Sequence, residues 1–257
     1  MQMIEKKVQV LILRTAGTNC DMETKAAFEM VGAEVDLLHI NQLIADKKIL
    51  HQYDILVLPG GFTYGDDISA GKILANEIKY RIAEEVNKFV ENKKLVLGIC
   101  NGFQILVKFG LLPKGKISKQ VVTLTNNISG VFQCEWINLT VENSPCVFTQ
   151  GITELFLPIA HAEGRFIAPK SIITELISKR QVALTYKGYN PNGSISGIAG
   201  ICDPTGRIFG LMPHPERFIF ATQHPNWNKL KYHTKHDPDG LNIFKNAVKY
   251  IIDNCYH

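Results

Sequence analysis

The first hundred positions alternate between short apolar runs and stretches patterned as turns or helices. Val8–Leu13, Val35–Ile40, Ile55–Leu58 and Leu95–Ile99 are the apolar runs, rich in branched residues and only a few residues long. Such runs read as strands buried on both faces. Between the first two, a turn-rich Gly17–Asp21 segment leads into a helical pattern that runs through Glu29 and stops near Gly32. A longer pattern spans about Ile73–Glu91, with Ile78, Ile82, Val86 and Phe89 at helical spacing. After the fourth run, Phe103–Phe109 reads as a short helix ended by Gly110.

Apolar strands separated by helices predict an α/β chain with a mainly parallel sheet covered by helices on both faces. In such sheets ligands bind beyond the carboxyl ends of the strands, where the glycine-rich turns of this chain fall. After Pro113 the pattern shortens and alternates with a period of two. Val121–Thr125, Val131–Val141, Phe156–Ala160, Gln181–Tyr186 and Ile208–Leu211 read as a small antiparallel β portion, and Leu241–Ile252 as a closing helix. With no internal repeat and no low-complexity linker, residues 1–257 are expected to form a single domain.

Composition narrows the function classes. Hydrophobic residues make up 46% and charged residues 20%, which is ample for a packed core. The formal net charge of +4 is spread over interleaved lysines and acids, with no basic block, so no nucleic-acid partner is expected. The amino-terminal apolar run is short and ends in Arg14, and no stretch is long enough to span a bilayer. Six cysteines without a CxxC pair or regular spacing argue against a disulfide framework or zinc ribbon and point to the cytoplasm. One of them is then a candidate nucleophile.

That cysteine is Cys100. Gly98-Ile99-Cys100-Asn101-Gly102 follows a strand and opens a helix, the arrangement of a nucleophile elbow with sulfur in place of oxygen. A residue on so tight a turn takes strained backbone angles, and glycines two positions to either side leave it room. A helix amino terminus favours the thiolate. An ordinary thiol of pKa about 8.5 is only a few per cent ionised at neutral pH, so a base must also be near. Met212-Pro213-His214-Pro215-Glu216-Arg217 supplies one, following the run Ile208–Leu211. In an extended segment residues two apart project to one side, so Glu216 can fix the tautomer of His214 as the third member of a triad does. The order Cys, His, Glu differs from that of an α/β-hydrolase, which places its acid before the histidine. Leu58-Pro59-Gly60-Gly61-Phe62 is a glycine-rich turn after a parallel strand, and the N–H groups of Gly61 and Asn101 are the expected oxyanion hole.

Five segments carry a resemblance: Gly17-Thr18-Asn19-Cys20-Asp21, Gly60-Gly61-Phe62-Thr63-Tyr64-Gly65-Asp66, Gly98 to Gln104, Ala160-His161-Ala162-Glu163-Gly164-Arg165-Phe166, and Pro213 to Arg217. Together they resemble the class I (triad) glutamine amidotransferases, whose fold is flavodoxin-like. Within that family they are similar to the branch that serves phosphoribosylformylglycinamidine synthase in purine biosynthesis. The resemblance implies a glutaminase in which Cys100 attacks the glutamine side-chain amide, His214 protonates the departing ammonia and Glu216 completes the triad. It also implies that Gln104, His161, Ala162 and Glu163 shape the glutamine pocket. No cofactor is implied for this chain. ATP and magnesium are expected in a synthetase subunit that receives the ammonia and converts formylglycinamide ribonucleotide to formylglycinamidine ribonucleotide, together with a further small subunit. A glutaminase of another amidotransferase branch and a catalytically silent glutamine-binding scaffold are the alternatives. His224, His233, His236, Asp237 and Asp239 crowd the late stretch without a standard metal-ligand spacing, so no metal site is expected there. A polar partner-facing loop is expected instead, and Trp136 and Trp227 are read as packing residues.

Overall fold

The computed structural model describes residues 7–66, 69–229 and 237–255. In chain order the elements are β1 (Gln9–Arg14), α1 (Asp21–Met30), β2 (Glu34–His39), α2 (Ile40–Ala45), β3 (Ile55–Leu58), α3 (Lys72–Glu77), α4 (Ala83–Glu91), β4 (Leu95–Ile99) and α5 (Asn101–Lys108). There follow β5 (Thr123–Thr125), β6 (Gln133–Val141), β7 (Glu154–His161), β8 (Arg165–Ile167), α6 (Lys170–Ser178), β9 (Val182–Tyr186), β10 (Ile198–Cys202), β11 (Ile208–Leu211) and α7 (Asp239–Cys255).

Nine strands form one sheet in the order β2-β1-β3-β4-β11-β10-β9-β6-β7, and β5 pairs with β8 in a separate two-stranded ribbon. β2, β1, β3, β4 and β11 run parallel to one another. The remaining four are joined by antiparallel pairings. The α/β class and the mainly parallel sheet expected from the apolar runs are therefore observed. Every residue of β3, β4 and β11 is buried, which accounts for their unbroken apolar character.

The crossover from β1 to β2 runs outward in one direction and that from β3 to β4 in the other. With the right-handed crossover that parallel strands strongly favour, α1 and the α3–α4 helix then cover opposite faces. On one face α1 meets α7, with the Phe28 and Phe244 rings edge to face at 4.9 Å. On the other, α5 packs on β3, β4 and β11 and against α3. The strand order reverses direction between β1 and β3, so a crevice opens at their carboxyl ends.

The differences from the sequence reading are local. Ile208–Leu211 extends the parallel part as β11 beside β4, rather than the antiparallel portion, because Ile208↔Val96 through Leu211↔Ile99 pair in parallel register. The helix expected over 73–91 is interrupted by a π turn, Ile78–Ile82, and Ile78, Ile82, Val86 and Phe89 all remain buried. β8, β10, α2 and α6 carried no recognised signal. β10 contains a glycine and is irregularly paired to β9, and α6 is only nine residues long.

Candidate active site

Cys100 stands at the end of β4, as the cap residue of α5, with φ +50° and ψ −104°. A non-glycine residue there is held against local strain of about 1–3 kcal/mol by its surroundings. Its N–H donates to the Leu211 carbonyl at 2.7 Å, which ties the elbow to β11. The two flanking glycines are steric necessities, for reasons only the packing shows. A Cβ on Gly102 would lie 1.8 Å from the Leu58 carbonyl oxygen, and one on Gly98 would lie 2.5 Å from Leu106 Cδ1 and 2.7 Å from the Gly102 oxygen. Cys100 Sγ lies 3.7 Å from the Ala160 carbonyl oxygen at the end of β7.

His214 follows β11, and its N–H donates to the Pro158 carbonyl at 2.8 Å. His214 Nδ1 lies 2.6 Å from Glu216 Oε1, and both residues are buried. The pair does not form on an extended segment as the sequence suggested. Pro215–Arg217 is a single 3₁₀ turn, and it is that turn which folds Glu216 back beneath the imidazole. With Glu216 at Nδ1, the proton of a neutral ring sits on Nδ1 and Nε2 is left as the base. Nε2 has no hydrogen-bond partner among the described residues. Burial alone would push the His214 imidazolium down; the Glu216 carboxylate, and next Cys100, outweigh it and raise the pKa well above 6.5.

Gly61 lies in the loop after β3 with φ +132°, in an antiparallel bridge to Thr18. That bridge is closed by the Phe62 N–H on the Gly17 carbonyl at 3.0 Å, so it does not use the Gly61 N–H. Asn101 opens α5, where helix geometry directs the backbone N–H toward the amino-terminal end of the helix. Its side-chain oxygen accepts from Thr63 Oγ at 2.7 Å, and its side-chain amide donates to Gln104 Oε1 at 3.1 Å. Gln104 in turn donates to the Glu163 carbonyl at 2.6 Å. Thr63, Asn101 and Gln104 thus link the glycine turn, the elbow and the loop after β7 in one chain of bonds.

Cys100, Gln104, Gly61, His161, Ala162, Glu163 and His214 all line one cavity of about 240 Å³, joined by Cys20, Arg217 and the half-exposed Phe62 and Phe132 at its mouth. All the sequence-derived candidates except Glu216 and Asn101 line it. Glu216 lies beneath His214, and Asn101 adjoins Cys100. Among the described residues, the late cluster suggested by sequence is dispersed. His224 packs among the rings of Trp136, Phe156 and Phe218, with centroids 5.2–5.9 Å away. Asp237 pairs with Lys245, and Asp239 accepts from the Phe156 N–H. His233 and His236 lie outside the described residues.

Asn127, in the loop after β5, was not singled out by sequence, and nothing in its surroundings could have marked it. Its amide nitrogen donates to the Val131 and His161 carbonyls, which fixes its oxygen toward Gly164 N–H and His161 Nδ1, each at 3.1 Å. His161 must therefore carry its proton on Nδ1, leaving buried Nε2 as an acceptor with no partner among the described residues. Burial, and then the charge of His214, lower the His161 pKa to about 4. In the unfolded chain an ordinary imidazole titrates near 6.5. Stability from neutral His161 is thus complete above that value and drains as pH falls through 4, by roughly 3 kcal/mol. His161→Gln is expected to lose correspondingly less stability between pH 7 and 4, read from urea unfolding midpoints. Asn127→Leu, which releases both the ring and the loop, is expected to raise the glutamine KM at least about 10-fold with a smaller change in kcat.

Comparison with known proteins agrees with this fold at the level of class. The chain belongs to the CobB/CobQ-like glutamine amidotransferase domain family, which matches residues 7–251. It is 49% identical over 253 residues to phosphoribosylformylglycinamidine synthase subunit PurQ of Dehalococcoides mccartyi, covering 95% of this chain and 98% of that one. It is 42% identical to the PurQ subunit of Methanococcus maripaludis, covering 96% and 99% of the two chains. Within the family its place is thus among the PurQ subunits. A chain in the structure of PurLQS from Thermotoga maritima superposes with a TM-score of 0.76 at 34% identity, over 96% of this chain and all of that one. A putative GMP synthase subunit from Thermoplasma acidophilum, at 16% identity and a TM-score of 0.58, shares the fold alone. Among the described residues no helix is long and apolar enough to cross a membrane.

Proposed function

We propose that the chain, as one domain over residues 1–257, hydrolyses glutamine through a Cys100 glutamyl thioester in the cytoplasm and passes the ammonia to a synthetase subunit. The observation that carries this reading is one cavity holding a strained elbow cysteine, a buried imidazole whose Nδ1 is held by a carboxylate, and a glycine-loop amide. Cys100 Sγ attacks the side-chain carbonyl carbon, and the developing oxyanion is received by the N–H groups of Gly61 and Asn101. His214 protonates the amide nitrogen, the C–N bond breaks and ammonia leaves. Water, deprotonated by His214, then opens the thioester to release glutamate and restore the thiol. Gln104, His161, Ala162 and Glu163 form the wall against the glutamine, with His161 Nε2 offering an acceptor to one of its N–H groups.

Ammonia is mostly protonated in neutral water, so its use depends on direct transfer. The names of the relatives supply the enzyme that takes the ammonia, a phosphoribosylformylglycinamidine synthase. In our reading its synthetase subunit uses ATP and magnesium on formylglycinamide ribonucleotide, with a small third subunit in the complex. Exposed Phe62 and Phe132 at the cavity mouth suit such a docked partner.

A glutamine-mimicking diazoketone tests the site. The expected result is a single adduct on Cys100, mapped by peptide mass and absent from Cys100→Ala; an adduct on another cysteine overturns the assignment. Replacing Glu216 by Gln tests the pair. It removes the main influence that raises the His214 pKa, so the alkaline limb of the kcat profile is expected to move to lower pH. The accompanying fall in kcat is expected to be about 10²–10³-fold.

A further inference from the structure

Cys20 is the buried thiol that the glutaminase reading leaves without a task. It closes the Gly17–Asp21 turn, is 1% exposed and lines the same cavity as Cys100. Its Sγ, a nitrogen of His214 and a carboxylate oxygen of Glu216 all lie within 4.8 Å of one another. Gly60 shows where two of these donors face. A Cβ built on it would stand 3.3 Å from Cys20 Sγ and 3.3 Å from His214 Nδ1. The same Cβ would lie 2.8 Å from His214 Cε1, so thiol and imidazole close together on residue 60 and only a glycine fits there. Glu216 Oε2, on a residue 1% exposed, has no hydrogen-bond partner among the described residues.

We propose that Cys20, His214 and Glu216 form an inhibitory site for a thiophilic divalent cation of the zinc class. The binding stands on these three donors alone; only its consequence rests on the glutaminase reading. Zinc takes sulfur, nitrogen and oxygen donors together, at about 2.3 Å for sulfur and about 2.0–2.2 Å for the others, in a tetrahedral shell. Donors already within 4.8 Å of one another close on such an ion by small side-chain shifts. The fourth position falls to water.

Starting from the imidazolium, binding releases two protons to solvent, one from the Cys20 thiol and one from His214 Nδ1; no electrons move. Burial raises the pKa of the Cys20 thiol, so the ion itself must draw off the proton, with the Arg217 guanidinium 3.2 Å from Sγ acting in the same direction. Once Nδ1 is metallated, the neutral ring keeps its one proton on Nε2, the nitrogen left for Cys100. That nitrogen can no longer accept a proton, and Glu216 is withdrawn from the ring. The base is thereby switched off without any change at Cys100.

Cobalt(II) tests the site in the full-length chain, with exposed Cys134 and Cys255 replaced by serine to remove surface thiols. The expected result is a sulfur-to-cobalt charge-transfer band and intense tetrahedral visible bands that saturate at one ion per chain. Cys100→Ser is expected to keep these bands and Cys20→Ser to lose the charge-transfer band. Glu216→Gln is expected to weaken binding at least about 10-fold, which decides the matter if Cys20→Ser does not fold. Zinc should displace the cobalt and inhibit glutamine hydrolysis, with the half-inhibiting concentration raised at least about 10-fold in Cys20→Ser. Absence of a tetrahedral spectrum, full retention of binding in Glu216→Gln, or a band kept in Cys20→Ser and lost in Cys100→Ser overturns the site. The spectra are read without glutamine, so failure of the metal site and failure of the glutaminase reading are separate results.

Discussion

Cys100→Ala is expected to lower glutamine-dependent turnover by about 10⁴-fold or more, because it removes the nucleophile that forms the thioester. Ammonia-dependent synthesis by the assembled complex should be retained, since the acceptor reaction does not use the thiol. The two activities, measured on one preparation, separate a lost nucleophile from a lost complex. Loss of both would show that the substitution disrupts docking, and retention of both would remove Cys100 from the mechanism. A second comparison probes the strain at this residue. Cys100→Gly should be more stable than Cys100→Ala by about 1 kcal/mol, despite its greater freedom when unfolded, because the combination of φ +50° with ψ −104° favours glycine.

Gly102→Ala is expected to be the most damaging single methyl in the chain's active region. Its Cβ would lie 1.8 Å from the Leu58 carbonyl oxygen and 2.6 Å from the Leu58 carbonyl carbon. Those atoms belong to the backbone of β3, which is paired on both sides and cannot withdraw. The cost is expected to exceed about 4 kcal/mol, with α5 driven away from the sheet and activity lost together with cooperativity of unfolding. Urea denaturation of the variant beside Gly102→Ser, which carries the same Cβ, should show both destabilised. A normal midpoint for either would mean that the contact between α5 and β3 is looser than the structure has it.

The parallel core was legible in the sequence because its strands are buried on both faces. Burial on both sides removes polar residues and leaves unbroken runs such as Ile55–Leu58 and Leu95–Ile99. The elbow was legible for a related reason: Gly98 and Gly102 are imposed by close backbone approach, a requirement that leaves a mark on residue identity. The proximity of His214 to Glu216 was also legible from their spacing, although the 3₁₀ turn that achieves it was not. PHPE is compatible with an extended segment or a turn, and only the fit of the loop beneath β11 selects between them.

What the sequence by itself determined was therefore the set of elements and the chemically capable residues, both encoded in patterns that span a few neighbours. The tertiary structure alone decided how distant segments meet. It placed β11 beside β4, which brings His214 to Cys100 across more than a hundred residues. It set Asn127 behind His161, which fixes a tautomer no local pattern could show. It also turned Cys20 toward the imidazole of His214, beside Gly60. Such meetings depend on packing between elements far apart in the chain, and a linear pattern carries no record of which long-range contact the core will select.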